Sequence, residues 1–176
     1  MKSSAQQKII SLLPAATEII AALKSTDRLA GRSHECDWPE NILHSSVLTS
    51  SNIDVSRTSH QIDQQVKNAE GVGLFKIDKP AIKSLKPHFI FTQDTCKVCA
   101  IDTHEVETLA NDITLPDGSH PQVISLSPSS LKELFADIYR VGDVIDERNQ
   151  AETVVADLKS RCEEISTRCI QLNKSN

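Results

Sequence analysis

The sequence predicts an α/β fold: a Rossmann-like, mostly parallel sheet flanked by helices, followed by one long C-terminal helix. Three observations predict it. Short apolar runs alternate with helical patterns along most of the 176 residues, as in βαβ units. Turn and cap signals punctuate the alternation, among them Pro14, Thr58 with Gln61, and Ser127-Pro128. From about Glu147, residues Ala151, Val155, Leu158, Cys162, Ile165, Cys169 and Leu172 repeat in steps of four and three. That is a continuous apolar stripe on one helix.

The elements follow in order. Lys8–Leu13 reads as a strand, and Pro14 suits the first turn of a helix running to about Leu23, because its missing N–H is an orphan there in any case. Leu29–Arg32 is a short strand leading into the loop SHECDWP, Ser33 to Pro39. Val47–Thr49 is another short strand. The capping box of Thr58 and Gln61 opens a helix that ends near Gly71. Leu74–Ile77 is extended, and a short helix with Pro80 near its start follows. Phe89–Thr92 is a strand, Thr103–Asn111 a helix, and Gln122–Leu126 a strand. Ser127-Pro128 is expected to cap the next helix, with apolar positions Leu131, Leu134, Phe135, Ile138 and Val141. Residues 1–145 then form one lobe and 146–176 the long helix, whose far half nothing in the sequence covers.

Composition narrows the function. Net charge is −5, and no Lys/Arg cluster accompanies an aromatic platform, which argues against nucleic acid as partner. No run approaches the ~18 apolar residues that cross a membrane. Pro14, Thr17 and Glu18 interrupt the N-terminal apolar stretch, so it reads as strand plus helix rather than a signal peptide. A cytoplasmic location with reduced thiols is therefore expected. The odd count of five cysteines speaks against a full disulfide framework.

Ligands of open α/β sheets bind at the carboxyl ends of the strands. Four loops leave strands there: Leu13 to Thr17, Ser33 to Trp38, Gln93 to Cys99 and Ser125 to Pro128. The second and third carry His34, Glu35, Cys36, Asp37, Trp38, Gln93, Asp94, Thr95, Cys96 and Cys99. Three readings of the sulfur set stay open. His34, Cys36, Cys96 and Cys99 match a tetrahedral zinc set. Cys96 and Cys99 alone make a redox pair, since a CxxC near a helix start lowers a thiol pKa. Or the sulfurs line a cleft or pack small gaps. Trp38 either stacks on a ligand ring or packs. Cys162 and Cys169, seven apart on one helix, sit roughly 10 Å from each other, too far for a mutual disulfide, and read as packing residues. There is no Walker loop, GxGxxG, nucleophile elbow or HExxH, and no Ser or Cys has a His placed to activate it. The chain reads as a non-enzyme.

Four blocks, KIISLLPAATEIIAAL, GRSHECDWPENI, LKPHFIFTQDTCKVCA and VISLSPSSLKELFADIYRVGDVI, together resemble the helical-backbone substrate-binding proteins of ABC importers. The branch they resemble binds vitamin B12 and ferric siderophores. The resemblance runs from about Lys8 to Leu172. It implies two Rossmann-like lobes bridged by a rigid helix, here about Glu147–Leu172, with ligand in the cleft between them. The chain would be the first lobe plus that helix, without the second lobe. Pro14, Ala15 and Ala16, then Ser33 to Trp38, then Thr92-Gln93 onward are implied to face the ligand. Glu18 and Glu40 are candidates for docking a permease.

The function expected is non-catalytic binding of a bulky metal chelate, cobalamin first and ferric siderophore second, with no required cofactor. The alternatives are a zinc module on His34, Cys36, Cys96 and Cys99, and a thiol oxidoreductase. Expected partners are an ABC permease and either a second lobe or a homodimer through the C-terminal helix. The family also implies a periplasmic or extracytoplasmic location, the alternative if a leader has been removed, whereas the N-terminal stretch itself does not read as a signal peptide.

Overall fold

A computed structural model of the chain describes residues 7–69, 73–94 and 103–174. The chain divides into two compact units, taken here in turn.

The first unit runs to Ser127, apart from Ala22–Lys24. Its strands are β1 (Ile9–Ser11), β2 (Leu29–Arg32), β3 (Ser46–Val47), β4 (Thr49–Ser51), β5 (Phe75–Ile77), β6 (Phe89–Thr92) and β7 (Gln122–Ser125). Its helices are α1 (Pro14–Ala22), α2 (Ser59–Asn68), α3 (Lys79–Leu85) and α4 (Thr103–Asn111). Five strands form a sheet in the order β3-β2-β1-β6-β7, every neighbour parallel. Central strands of such a sheet are covered on both faces and read as unbroken apolar runs. Accordingly all of β1 and β6 is buried, with Ile9 opposite Phe89 and Ile10 opposite Ile90. Ile10 and Ile90 join Leu12, Leu48, Ile82 and Val106 in one core cluster.

The helices begin where the sequence signals them. Thr58 accepts from the Gln61 N–H and the Gln61 side chain reaches back, so the expected capping box forms. Asp78 caps α3 by accepting from the Ala81 N–H at 2.9 Å, and Pro80 sits in its first turn.

One expected strand becomes two. Ser46–Val47 joins the parallel sheet, whereas Thr49–Ser51 pairs antiparallel with β5 in a separate two-stranded sheet. Leu48 is the joint. Its N–H donates to the Arg32 carbonyl at 2.9 Å, and its carbonyl accepts from the Asp78 N–H at 2.8 Å. β5 is thus no member of the main sheet.

The second unit comprises Ala22–Lys24 and Pro128–Asn176, built on α5 (Leu131–Val144) and α6 (Arg148–Lys174). The cap of α5 is Ser130, not Ser127: its hydroxyl accepts from the Glu133 N–H at 3.2 Å, and Glu133 takes the Ser129 N–H and hydroxyl at 2.7 Å. Ser130-Leu131-Lys132-Glu133 is an S-x-x-E sequence, so the stronger cap signal lay three residues downstream. Leu131, in the first turn, is exposed, while Ile138 and Val141 are buried. α5 and α6 meet at a close approach where a Cβ on Gly142 would lie 2.6 Å from the Ala151 Cβ. Arg148 secures the corner, donating to both Asp143 oxygens at 3.0 and 2.8 Å beneath the Tyr139 ring. The units divide after Ser127, so α5 groups with α6, whereas the sequence placed a boundary at 145/146.

At 27 residues, α6 is about 40 Å long. Ala151 and Val155 are buried and Leu158 half-buried, but residues 159–172 are exposed on every side. Ile165 keeps 60% of its surface and Leu172 67%. The described residues include no helix long and apolar enough to cross a membrane.

Candidate functional site

In the order β3-β2-β1-β6-β7 the chain moves outward one way from β1 and the other way from β6. The topological switch point therefore falls between β1 and β6, where open α/β sheets hold ligands outside the carboxyl ends of the strands. The loops there are knitted to the sheet by one further hydrogen bond each. Leu12 N–H donates to Phe91 O, Ser33 N–H to Ser11 O, and Leu126 N–H to Thr92 O, all at 2.9 Å. Ser127, expected to cap a helix, instead takes the Asp94 N–H on its hydroxyl at 3.1 Å. That joins the loop after β6 to the loop after β7.

The residues expected at the site divide by exposure. Pro14, Ala15, Glu35, Asp37, Trp38 and Asp94 are exposed, and Gln93 is half-buried. Trp38 retains 63% of its surface, which makes it a presented ring rather than a packed one. Ala16 is fully buried, and Cys36 is 1% exposed. Thr95, Cys96 and Cys99 lie outside the described residues.

Two polar networks hold the loop of Ser33 to Trp38. In the first, Thr17 Oγ1 lies 2.8 Å from Ser11 Oγ, 3.1 Å from Cys36 Sγ and 3.3 Å from Leu13 O. The Ser11 hydroxyl donates to Leu13 O at 2.9 Å. Burial pushes the Cys36 thiol above its ordinary 9.0, outweighing the lowering effects of the Thr17 hydroxyl, the Ser33 backbone and Arg32. Cys36 is held as a protonated thiol, the inert form.

The second network centres on Thr49. Its hydroxyl lies 3.0 Å from Ser33 Oγ and 2.6 Å from His34 Nδ1, and accepts from the His34 backbone N–H at 3.0 Å. Ser33 Oγ in turn accepts from the Glu35 N–H at 3.3 Å. Two proton arrangements fill these contacts equally: Ser33 donates to Thr49 and Thr49 to Nδ1, or Nδ1–H donates to Thr49 and Thr49 to Ser33. The other ring nitrogen, Nε2, is buried without a hydrogen bond, with Glu35 Oε1 3.1 Å away. The ring packs edge-on to Phe75, 5.3 Å between centroids. Among the described residues no group of three His, Cys, Asp or Glu is placed to hold an ion.

Sequence reasoning missed Ser11, Arg32 and Thr49 as supports of the site. The signal for the first was a lone serine at the end of an apolar strand. Thr49 carried none, because its partner His34 lies fifteen residues earlier. A groove of about 520 Å³, lined in part by Val47, Thr49, Lys76 and Pro80, opens beside the Thr49 network rather than at the switch point.

No family model and no curated protein matches the chain. Solved structures do. The chain is similar to a periplasmic heme-binding protein from Pseudomonas aeruginosa at TM-score 0.67 and 14% identity, covering 97% of this chain and 49% of that one. It is similar to the periplasmic vitamin B12-binding protein of Vibrio cholerae at TM-score 0.64 and 17% identity, covering 92% and 50%. A petrobactin-binding protein from Bacillus subtilis matches at TM-score 0.58 and 13% identity, covering 95% and 48%. What these share with the chain is the fold, and the chain spans about half the length of each.

Proposed function

We propose that the chain is one lobe of a non-catalytic binding protein for a bulky metal chelate, acting as the solute-binding component of an ABC importer. Cobalamin is the first ligand and a ferric siderophore the second, with heme beside them because one of the similar structures binds it. The observation that carries the reading is the switch point between β1 and β6. Exposed Pro14 and Ala15 after β1, half-buried Gln93 and exposed Asp94 after β6, and the loop after β2 with Glu35, Asp37 and Trp38 belong to that edge. Thr95, Cys96 and Cys99, which follow Asp94 in the sequence, are assigned to the same edge. Ala16, His34 and Cys36 support the edge from beneath.

Half of a cleft is expected to bind weakly. A second lobe, or a second copy of the chain, would complete it; the exposed half of α6 is a separate surface that such a partner could cover. The periplasmic setting of the similar proteins supports an extracytoplasmic location and a permease partner.

Trp38 is the one tryptophan of the sequence, so its fluorescence reports the site directly. Titration with aquocobalamin, heme and a ferric siderophore should quench it saturably for one of the three. Absence of quenching and of calorimetric heat with all three, on the order of 100 μM, would overturn the proposal.

A further inference from the structure

We propose that Arg32 is the anion anchor of this site, receiving a carboxylate or phosphate group of the ligand; the inference rests on the binding function proposed above. Arg32 ends β2, opposite Ser11 in the register. Paired residues of neighbouring strands project from the same face, and Ser11 bonds to Thr17 of α1. A Cβ on the preceding Gly31 would instead meet Leu48 and Leu85, so Arg32 leaves the sheet on the α1 face. Its Nη1 donates to the carbonyls of Cys36 at 2.8 Å and Ser33 at 3.3 Å, which fixes the guanidinium under the loop that carries Trp38.

Among the described residues the charge has no carboxylate partner, whereas Arg57, Arg140, Arg148 and Arg161 all have one. The side chain is half-buried and its Nε is sealed from water with no acceptor. Placing a cation where water is partly excluded is costly unless an opposite charge completes it, and two carbonyl dipoles do so only in part. With Nη1 held by two carbonyls and Nε sealed, Nη2 is the nitrogen left to donate a charge-assisted hydrogen bond to an oxygen of a carboxylate or phosphate.

Inorganic phosphate tests this without any chelate. In protein labelled with ¹⁵N-arginine, the Arg32 Nε–H resonance should shift saturably with phosphate and stay in place with chloride at equal ionic strength. No saturable shift by on the order of 100 mM overturns the anchor. Heme and heme dimethyl ester supply the second arm. R32Q should weaken heme about tenfold, the scale of one charge-assisted hydrogen bond, and the ester by less than about twofold, with R32K recovering part of the loss. Equal loss for acid and ester makes Arg32 a clamp on the loop and overturns the anchor. Phosphate binding at Arg32 with no chelate bound would keep the anchor and sink the chelate reading; chelate binding without an Arg32 response would do the reverse.

Discussion

Thr17 Oγ1 and Cys36 Sγ lie 3.1 Å apart, tying the first turns of α1 to the loop that presents Trp38. The thiol faces inward while the neighbouring indole faces out, so two residues apart the same loop is both foundation and surface. Cys36 should therefore resist iodoacetamide at pH 8 in folded protein, while the exposed Cys162 and Cys169 react at rates near that of free cysteine. Peptide mapping by mass spectrometry reads all three. Labelling of Cys36 as fast as Cys162 would contradict its burial.

The raised Cys36 pKa also sets a pH dependence. The unfolded thiol ionises near 9.0 and the folded one higher, so this group leaves stability untouched below pH 9. Above it, the unfolded state releases a proton first, and stability falls as pH climbs through the folded value. Urea midpoints between pH 7 and 10.5 should show the decline, and Cys36→Ala should flatten it.

Thr49 is predicted to matter more than its short side chain suggests. Thr49→Val strands the Ser33 hydroxyl, the His34 backbone N–H and His34 Nδ1 together. Leaving buried polar groups unmet costs about 1–3 kcal/mol, measurable by urea denaturation. Ser50→Val, one residue on at an exposed position, should change stability by less than about 0.5 kcal/mol.

Gly142 is required by contact, not by backbone angle. A methyl there would lie 2.6 Å from the Ala151 Cβ and 3.2 Å from the Glu147 carbonyl, neither of which is the end of a flexible chain. Gly142→Ala should destabilise by about 1–3 kcal/mol and lower the thermal midpoint. An unchanged midpoint would mean α5 and α6 adjust freely.

Trp38→Ala should separate binding from folding. The indole is mostly exposed, so stability should change by less than about 0.5 kcal/mol, while affinity for any ligand that quenches Trp38 falls at least about tenfold, as for an aromatic anchor. Lost stability without lost affinity would make the ring a packing element.

The sequence made the sheet legible because its central strands, IIS and FIFT, are buried on both faces and hence apolar at every position. It made α2 legible because Thr58 and Gln61 act within one turn. It failed at Val47–Thr49, where three residues serve two sheets and Leu48 is told apart only by distant partners, Arg32 and Asp78. It failed at Ser127 for the same reason: a proline beside a serine resembles a cap, but the hydroxyl answers to Asp94, 33 residues away. The loops of the site were legible as polar insertions after strands. Which of their residues point outward was not, since Cys36 and Trp38 differ by packing that only the folded chain defines.

The distal half of α6 would report on anything that covers it. An isolated helical segment of this length is marginal in water, so the amide protons beyond Lys159 should exchange with deuterium within seconds while those near Ala151 and Val155 persist. Whatever comes to rest on Ile165 and Leu172 will slow that exchange, and the pattern of slowed amides will trace its footprint turn by turn.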